Sequence, residues 1–355
     1  MTYVAAPPTY NMGIEIVVGL PHLNEGPILE RARQLQQPVL ISANALSFWA
    51  RCKTSRQWAG WRLDKLANAR GLASLDLDSA GFVAMSRYGG FPWSVDDYFR
   101  LAAAFPFRRI AGLDYCAEHE IARDREEVLD RIARTVRANR DCRQRASDLG
   151  LLDRFMPVLQ GRHPSDYDRC ADALWSCLRP GAVVGVGSMC RRRVSGPEGL
   201  IAVVEHLDRT LPADISLHLF GVKGTALTYL KAFSHRVTSI DSQAYGIASR
   251  RDAWQRKVRK TDVLVADHLE RWTKAQLLRL SKPPRILALP IPDIDPPTSN
   301  DPWEQAISQA RAEIRELIES GDLSHDEITT GWIEQWAAGI YRPGSVREGR
   351  QEEME

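Results

Sequence analysis

Eight short apolar runs recur along the first 240 residues, and this repetition restricts the fold more than any other feature of the sequence. They cover residues 14–18, 39–42, 74–77, 110–113, 156–159, 183–186, 216–220 and 237–240. Each is too short for a helix, and most lack an alternating polar face, the pattern of a strand buried on both sides. Amphipathic stretches such as 121–149 and 167–178 lie between most of them. Ser94-Val95-Asp96-Asp97 reads as a capped helix start. Eight strands with intervening helices predict a (β/α)8 TIM barrel. The competing α/β layout, an open doubly wound sheet, lacks support because no G-x-G-x-x-G turn follows the first run. The helix between strands seven and eight must be short, about residues 225–233.

After residue 240 the pattern changes. Residues 249–281 read as helical and basic. Pro283-Pro284 and the stretch 290–297 make a stiff connector. Residues 301–320 and 325–339 read as two amphipathic helices. The expected organisation is a barrel over 12–281, a C-terminal helical extension packed on it over 282–345, and a disordered charged tail over 346–355.

Net charge is only +2, yet the cations are overwhelmingly Arg. Guanidinium forks suit phosphates and bases, and a GC-rich genome gives the same bias. The cysteines at 52, 116, 142, 170, 177 and 190 form no C-x-x-C pair, which argues against a disulfide framework and for a reducing compartment. Residues 1–12 have neither a basic head nor an apolar run, and no apolar stretch approaches membrane-spanning length. A cytoplasmic protein without a membrane partner is expected. Cys116 and His119 have metal-like spacing, but no second pair accompanies them, so no metal and no cofactor are expected.

In a TIM barrel, chemistry sits at the carboxyl ends of the strands. Here those ends are polar. Strand two ends in Ser42-Ala43-Asn44, strand three in Asp78-Ser79-Ala80-Gly81-Phe82, and strand four in Asp114-Tyr115-Cys116. Strand five ends in Gln160-Gly161, strand six in Gly185-Val186-Gly187-Ser188, strand seven in Phe220-Gly221-Val222, and strand eight in Asp241-Ser242-Gln243-Ala244-Tyr245. One Asp after a strand merely caps the next helix. Three, with a Gln, an Asn and two phenylalanines, converge on one mouth.

In this order the motifs resemble those of tRNA-guanine transglycosylases. That superfamily ends strand three in D-S-G-G-F/Y-Q, strand four in D-x-C and strand five in V-Q-G, and carries M/F-G-x-G on strand seven. Its archaeal branch ends strand eight in F-D-S-A-A-Y, against Ile240-Asp241-Ser242-Gln243-Ala244-Tyr245 here. The resemblance covers about residues 12–250. Three departures stand out. No cysteine follows Cys190, so the superfamily's zinc subdomain cannot form. The bacterial P-T-R-x-G-R stretch is missing, and Val83 replaces a Gln that contacts the base. The remaining pattern is similar to the DpdA-type branch, which inserts 7-deazaguanines into DNA, and it favours DNA over tRNA as the nucleic-acid partner.

The resemblance implies base exchange by two carboxylates, as in retaining glycosidases. Asp241 matches the nucleophile and Asp78 the general acid/base. Asp114 would accept from guanine N1–H and N2–H2. Gln160 would donate to O6, the backbone at Gly185 and Gly187 would approach closely, and Phe82 and Phe220 would sandwich the base. Ser79 and Asn44 are further base or sugar contacts. Arg250, Arg251, Arg256, Lys257 and Lys260 around Trp254, together with Arg191 and Arg192, would hold the nucleic-acid backbone. A 7-deazaguanine base, a flipped-out or single-stranded target and helper proteins of a DNA-modification system are the implied partners.

Plainer readings remain open at each position. Asp78 and Asp114 would serve as helix caps, Phe82 and Phe220 as core, Gln160 as a satisfied buried amide, and the basic segments as solvated faces. At the level of the whole chain, the alternatives are a tRNA-guanine transglycosylase, an inactive nucleic-acid-binding barrel, and an unrelated TIM-barrel hydrolase.

Overall fold

The computed structural model describes residues 13–52, 55–118, 121, 124–190, 192–285, 301–319 and 332–341. Parallel strands form one sheet. They are β1 (Glu15–Leu20), β2 (Val39–Ser42), β5 (Leu75–Asp78), β6 (Ile110–Ala111), β7 (Phe155–Met156), β8 (Val158–Leu159), β9 (Val183–Val186), β10 (Ser216–Leu219) and β11 (Val237–Ser242). Their order is β7-β6-β5-β2-β1-β11-β10-β9-β8. The two ends of that order, β7 and β8, are separated in the chain only by Pro157. They therefore occupy one position, and the ring is an eight-position TIM barrel.

The fifth run was expected as one strand. It is two because Pro157 has no N–H to offer the ladder. Pairing continues on both sides through carbonyls, with Gly112 N–H donating to Met156 O at 2.9 Å and Gly185 N–H to Pro157 O at 2.8 Å. The Val158 N–H takes the Asn139 side-chain oxygen at 2.8 Å instead of a strand neighbour.

The surrounding helices are α1 (Pro27–Leu35), α2 (Gly81–Val83), α3 (Val95–Ala103), α4 (Arg125–Asp148), α5 (Pro164–Ala173), α6 (Leu200–Thr210), α7 (Leu227–Leu230), α8 (Ala244–Gln255) and α9 (Asp262–Ser281). The main core lies between the ring and these helices, filled by side chains such as Ile16, Ile41, Leu77, Phe99, Tyr167, Leu217 and Leu269. Ser94 and Asp97 form the capping box that starts α3. The basic stretch expected as one helix is α8 and α9, broken where Lys257 takes φ 53 and restarted by the Thr261 hydroxyl, which accepts from Leu264 N–H.

The barrel interior is mixed. Ala111, Met156 and Val158 pack with Val183 and Phe220. At the amino-terminal end, Arg108 pairs with Asp76 at 2.6 Å and Glu15 at 2.8 Å.

One element escaped sequence reading. After β2, residues Ser47–Cys52 (β3) and Ser55–Trp61 (β4) form an antiparallel hairpin. A register shift between Phe48 and Trp49 and φ 127 at Gly60 bring Trp58 and Trp61 together, with centroids 5.1 Å apart. Strict two-residue alternation would put these two, three apart, on opposite faces.

Beyond the barrel unit, the helices α10 (Pro302–Glu319) and α11 (Trp332–Ile340) form a second compact unit. Ala306, Ile307, Ala310 and Ala337 make its core, with Trp303 and Trp336 against them. No described helix is long and apolar enough to cross a membrane.

Candidate active site

Parallel strands put all their carboxyl ends at one end of the ring, so Asp78 on β5, Asp114 after β6 and Asp241 on β11 share one mouth. Asp76 and Asp78 are two apart on β5, yet Asp76 pairs with Arg108 at the floor while Asp78 ends the strand at the mouth.

Burial, then the negative charge of Asp114, then that of Asp241, push the Asp78 carboxyl up to about 7, against a smaller pull from the Ala80 N–H. That N–H donates to Asp78 Oδ2 at 3.0 Å. The tight turn needs φ 73 at Ala80, a left-handed conformation that costs an alanine on the order of 1–2 kcal/mol. The superfamily motif has glycine there.

Asp114 is buried and held from both sides. The Ser79 hydroxyl donates to Oδ1 at 2.5 Å, and the Gln160 amide donates to Oδ2. Burial raises the Asp114 carboxyl above the usual carboxylate range, and these two donors oppose it. The network extends backwards. Gln160 Oε1 accepts from the Ser188 hydroxyl at 2.5 Å, whose oxygen accepts the Ala117 N–H at 2.7 Å. Every donor in this chain points toward Asp114, so its two oxygens act as acceptors. That suits a ligand edge made of N–H donors.

Ser188, with φ 58, was not foreseen. Gln160 is fully buried and braces Asp114 through its amide nitrogen. Gly185 in β9 and Gly187 just after it are hemmed in by neighbouring side chains. A Cβ on Gly187 would lie 2.1 Å from Gln160 Nε2, and one on Gly185 would lie 2.5 Å from the Phe220 ring. They leave room for neighbouring side chains.

Asp241 is buried. Its Oδ1 accepts the Gly221 N–H at 3.0 Å and faces His218 Nε2 at 3.4 Å. Phe220, half-buried, stands edge-on to His218 at 4.7 Å between centroids. Phe82 is 41% exposed on α2, in the turn that follows Asp78. Asn44 lies in the turn after β2 and accepts from the Tyr88 hydroxyl at 3.0 Å.

The basic residues are less unified than the sequence suggested. The side chain of Arg192 is buried and donates to the carbonyls of Gly161, Arg162, Ser188 and Glu198, so it organises the loop after β9 instead of facing a phosphate. Arg191 lies outside the described residues. Helix α8 starts at the mouth and runs away from it. Tyr245, near its start, donates to Gly19 O at 2.6 Å and sits 6.3 Å from Trp272. Asp252 meets His268, 2.9 Å away. These pairs make α9 antiparallel to α8, and α9 returns to the mouth, where Gln276 and Arg279 crowd Gly224. Arg250 and Arg251 lie midway along α8. Arg256, Lys257 and Lys260 lie at or beyond its far end, roughly 18 Å from its first turn at 1.5 Å per residue.

The hairpin brings other groups to the mouth. Trp58, Trp61, Trp93, Phe91 and Tyr115 form a continuous aromatic chain, and Tyr115 directly follows Asp114. Phe48 is exposed beneath the Arg62 guanidinium, 5.9 Å from its ring centre.

Residues 54–277 match the model of a protein family described as DpdA: DeoxyPurine in DNA protein A. No curated protein matches the chain. Among solved structures, the YdjI aldolase from Escherichia coli K12 is similar with 11% identity, over 76% of this chain and 91% of that chain, at a TM-score of 0.46. A likeness that distant carries no argument about chemistry.

Proposed function

Because the chain belongs to the DpdA family, we propose that it exchanges a guanine in DNA for a 7-deazaguanine base through a covalent sugar–Asp241 intermediate. The observation that carries this reading is the mouth itself. Three carboxylates share it, Asp114 and Asp241 buried and Asp78 half-buried, and Asp78 is pushed up to about 7 by burial and by Asp114 and Asp241. Near neutral pH such a group both gives and takes a proton, as general acid/base work requires.

Asp241 Oδ2 attacks C1′ as the C1′–N9 bond breaks, and the bonding pair leaves with guanine. Asp78 supplies the proton that makes the departing base neutral. Developing positive charge on the sugar is stabilised by the Asp241 carboxylate before bonding. Guanine is replaced in the pocket by a 7-deazaguanine. Its N9 then attacks C1′, the C1′–Oδ2 bond breaks, and the N9 proton passes to Asp78. Both acid/base forms are restored.

Asp114 accepts from N1–H and N2–H2 of either base, with Gln160 at O6. Phe82 and Phe220 stack on its faces, each stack contributing roughly 1–3 kcal/mol. The target nucleotide must leave the duplex to reach carboxylates buried at the strand ends.

Base exchange with radiolabelled guanine or 7-cyano-7-deazaguanine, offered DNA and tRNA in parallel, tests the reading. Label should enter DNA, and a denaturation-resistant protein–DNA adduct should form with the native enzyme and vanish in Asp241→Asn. Label entering tRNA alone, or native-rate exchange by Asp241→Asn, overturns the substrate or the nucleophile respectively.

A further inference from the structure

We infer that His218 is a positioning residue for Asp241, fixed in one tautomer by a polar chain that rises through the barrel from its floor. The inference rests on the reading of Asp241 as nucleophile and adds to it which oxygen attacks.

His218 sits on β10 between Leu217 and Leu219, which face the helices, so its ring points into the barrel. It is buried, and its Nδ1 lies 2.8 Å from the Ser239 hydroxyl. Ser239 is two residues before Asp241 on β11 and faces the same way. Its oxygen accepts from Arg109 Nη1 at 2.7 Å. Arg109 in turn lies 4.0 Å from Glu15 at the floor. A guanidinium can only donate, so the Ser239 oxygen is an acceptor toward Arg109 and has one hydrogen of its own to give. The His218 Nδ1 lone pair takes it. The imidazole proton is thereby placed on Nε2.

That Nε2 is buried, makes no hydrogen bond, and faces Asp241 Oδ1 at 3.4 Å. A buried N–H without a partner is unfavourable. Here its nearest carboxylate is Asp241, which loses its charge when the covalent bond forms and regains it when the bond breaks. Oδ1 also takes the Gly221 N–H. Both donors approach the same oxygen, so Oδ1 is the spectator and Oδ2 the attacking atom.

When the C1′–Oδ2 bond forms, Oδ1 becomes the carbonyl oxygen of an acyl-type ester. When that bond breaks, negative charge returns to Oδ1 between two N–H groups. The His218 contact stabilises the departing carboxylate in the second half of the exchange and holds its plane in the first. The opposite tautomer would turn a lone pair toward Oδ1 and repel it.

The test compares His218→Phe, His218→Asn, His218→Gln and Ser239→Ala in full-length enzyme. Each is checked by thermal melting and assayed for base exchange and for the denaturation-resistant adduct. Asn places an amide near Nδ1 and Gln near Nε2. Phe, Asn and Ser239→Ala should lower kcat by about 10- to 100-fold while KM for DNA and for the base stays within about twofold. His218→Gln should recover to within about fivefold of native because it restores a donor to Oδ1.

Equal activity in all four variants overturns the inference while leaving the nucleophile intact, provided the native enzyme forms its adduct. A loss shared equally by Asn and Gln, or a loss confined to KM, overturns it as well. If His218→Phe fails to fold, Ser239→Ala decides together with the Asn and Gln pair, because it keeps the ring while removing the tautomer lock and the Arg109 contact. Absence of the adduct in the native enzyme removes Asp241 as nucleophile and this inference with it.

Discussion

At Asp78, chemistry and stability oppose each other. Its carboxyl is ordinary in the unfolded chain, near 3.8, and is pushed up to about 7 in the folded barrel. Between those values the folded state holds a proton that the unfolded state has released. Stability therefore falls as pH rises from about 4 to about 7, and the full cost is present above 7. The whole shift corresponds to an upper bound near 4 kcal/mol at about 1.36 kcal/mol per pH unit. Water at the mouth reaches the half-buried side chain and reduces it. Asp78→Asn should thus stabilise the protein by about 1–3 kcal/mol at pH 8 and by almost nothing at pH 4, measured by urea denaturation at both values, while base exchange is lost. Equal stabilisation at the two pH values would mean that electrostatic cost at Asp78 is absent. The residue alphabet of this mouth was legible in the sequence because strand ends advertise polar groups against apolar runs. His218 was legible in principle as a polar residue inside an apolar strand, but a lone histidine is more often core or surface than part of a site. Ser188 and the service of Gly185 and Gly187 to Gln160 and Phe220 depend on contacts across strands, which one-dimensional spacing does not encode.

Among the elements, the eight strands announced themselves because all are buried on both faces and bounded by polar turns. Two features did not. The hairpin of β3 and β4 breaks its own alternation at Gly60, so its tryptophans lack the two-residue period. The fifth barrel position is interrupted at Pro157, and its repair comes from helix α4. Asn139 on α4 accepts the Val158 N–H at its Oδ1 and donates from its amide nitrogen to the Leu113 carbonyl at 3.0 Å. Gly112 is open to it, since a Cβ there would lie 2.2 Å from Asn139 Oδ1. One buried amide thus satisfies the Val158 N–H that lacks a strand partner beside the proline and holds the strand leading to Asp114 against the strand leading to Gln160. Asn139→Leu keeps comparable bulk but orphans a buried N–H and a buried carbonyl. The expected loss is about 2–4 kcal/mol, from two unsatisfied groups at about 1–3 kcal/mol each less the gain of an apolar side chain. Chemical denaturation measures it, and a loss below about 0.5 kcal/mol would show that the seam closes without the amide.

Across the whole molecule, the parallel barrel sorts charge by end. Buried carboxylates occupy the mouth and the Arg108–Asp76–Glu15 cluster occupies the floor, so a polyanion cannot be drawn in by the mouth's own charge and must be held from its rim. Sequence order suggested that the basic run after the nucleophile does this, since it begins only about ten residues beyond Asp241. Helix geometry separates what sequence joins: α8 leaves the mouth, and by Arg256 the chain has travelled roughly 18 Å. The hairpin stays. Arg62 over the exposed Phe48 combines a cation with a ring, the pairing that single strands use for phosphate and base. Its position on an element anchored through Trp61, Trp93, Phe91 and Tyr115 ties it to the strand end carrying Asp114. Arg62→Glu and Phe48→Ala should therefore raise KM for DNA by about 5- to 20-fold, with kcat nearly unchanged, and the arginine variant should reduce the slope of log affinity against log salt by about one. The double variant Lys257→Glu, Lys260→Glu should leave KM within about twofold at 0.15 M salt, because charges more than a Debye length of about 8 Å from the strand are screened. The reverse result, with the hairpin variants silent and the lysine pair raising KM, would put the DNA along the outside of α8 and require a strand path from the far end of that helix up to Asp241.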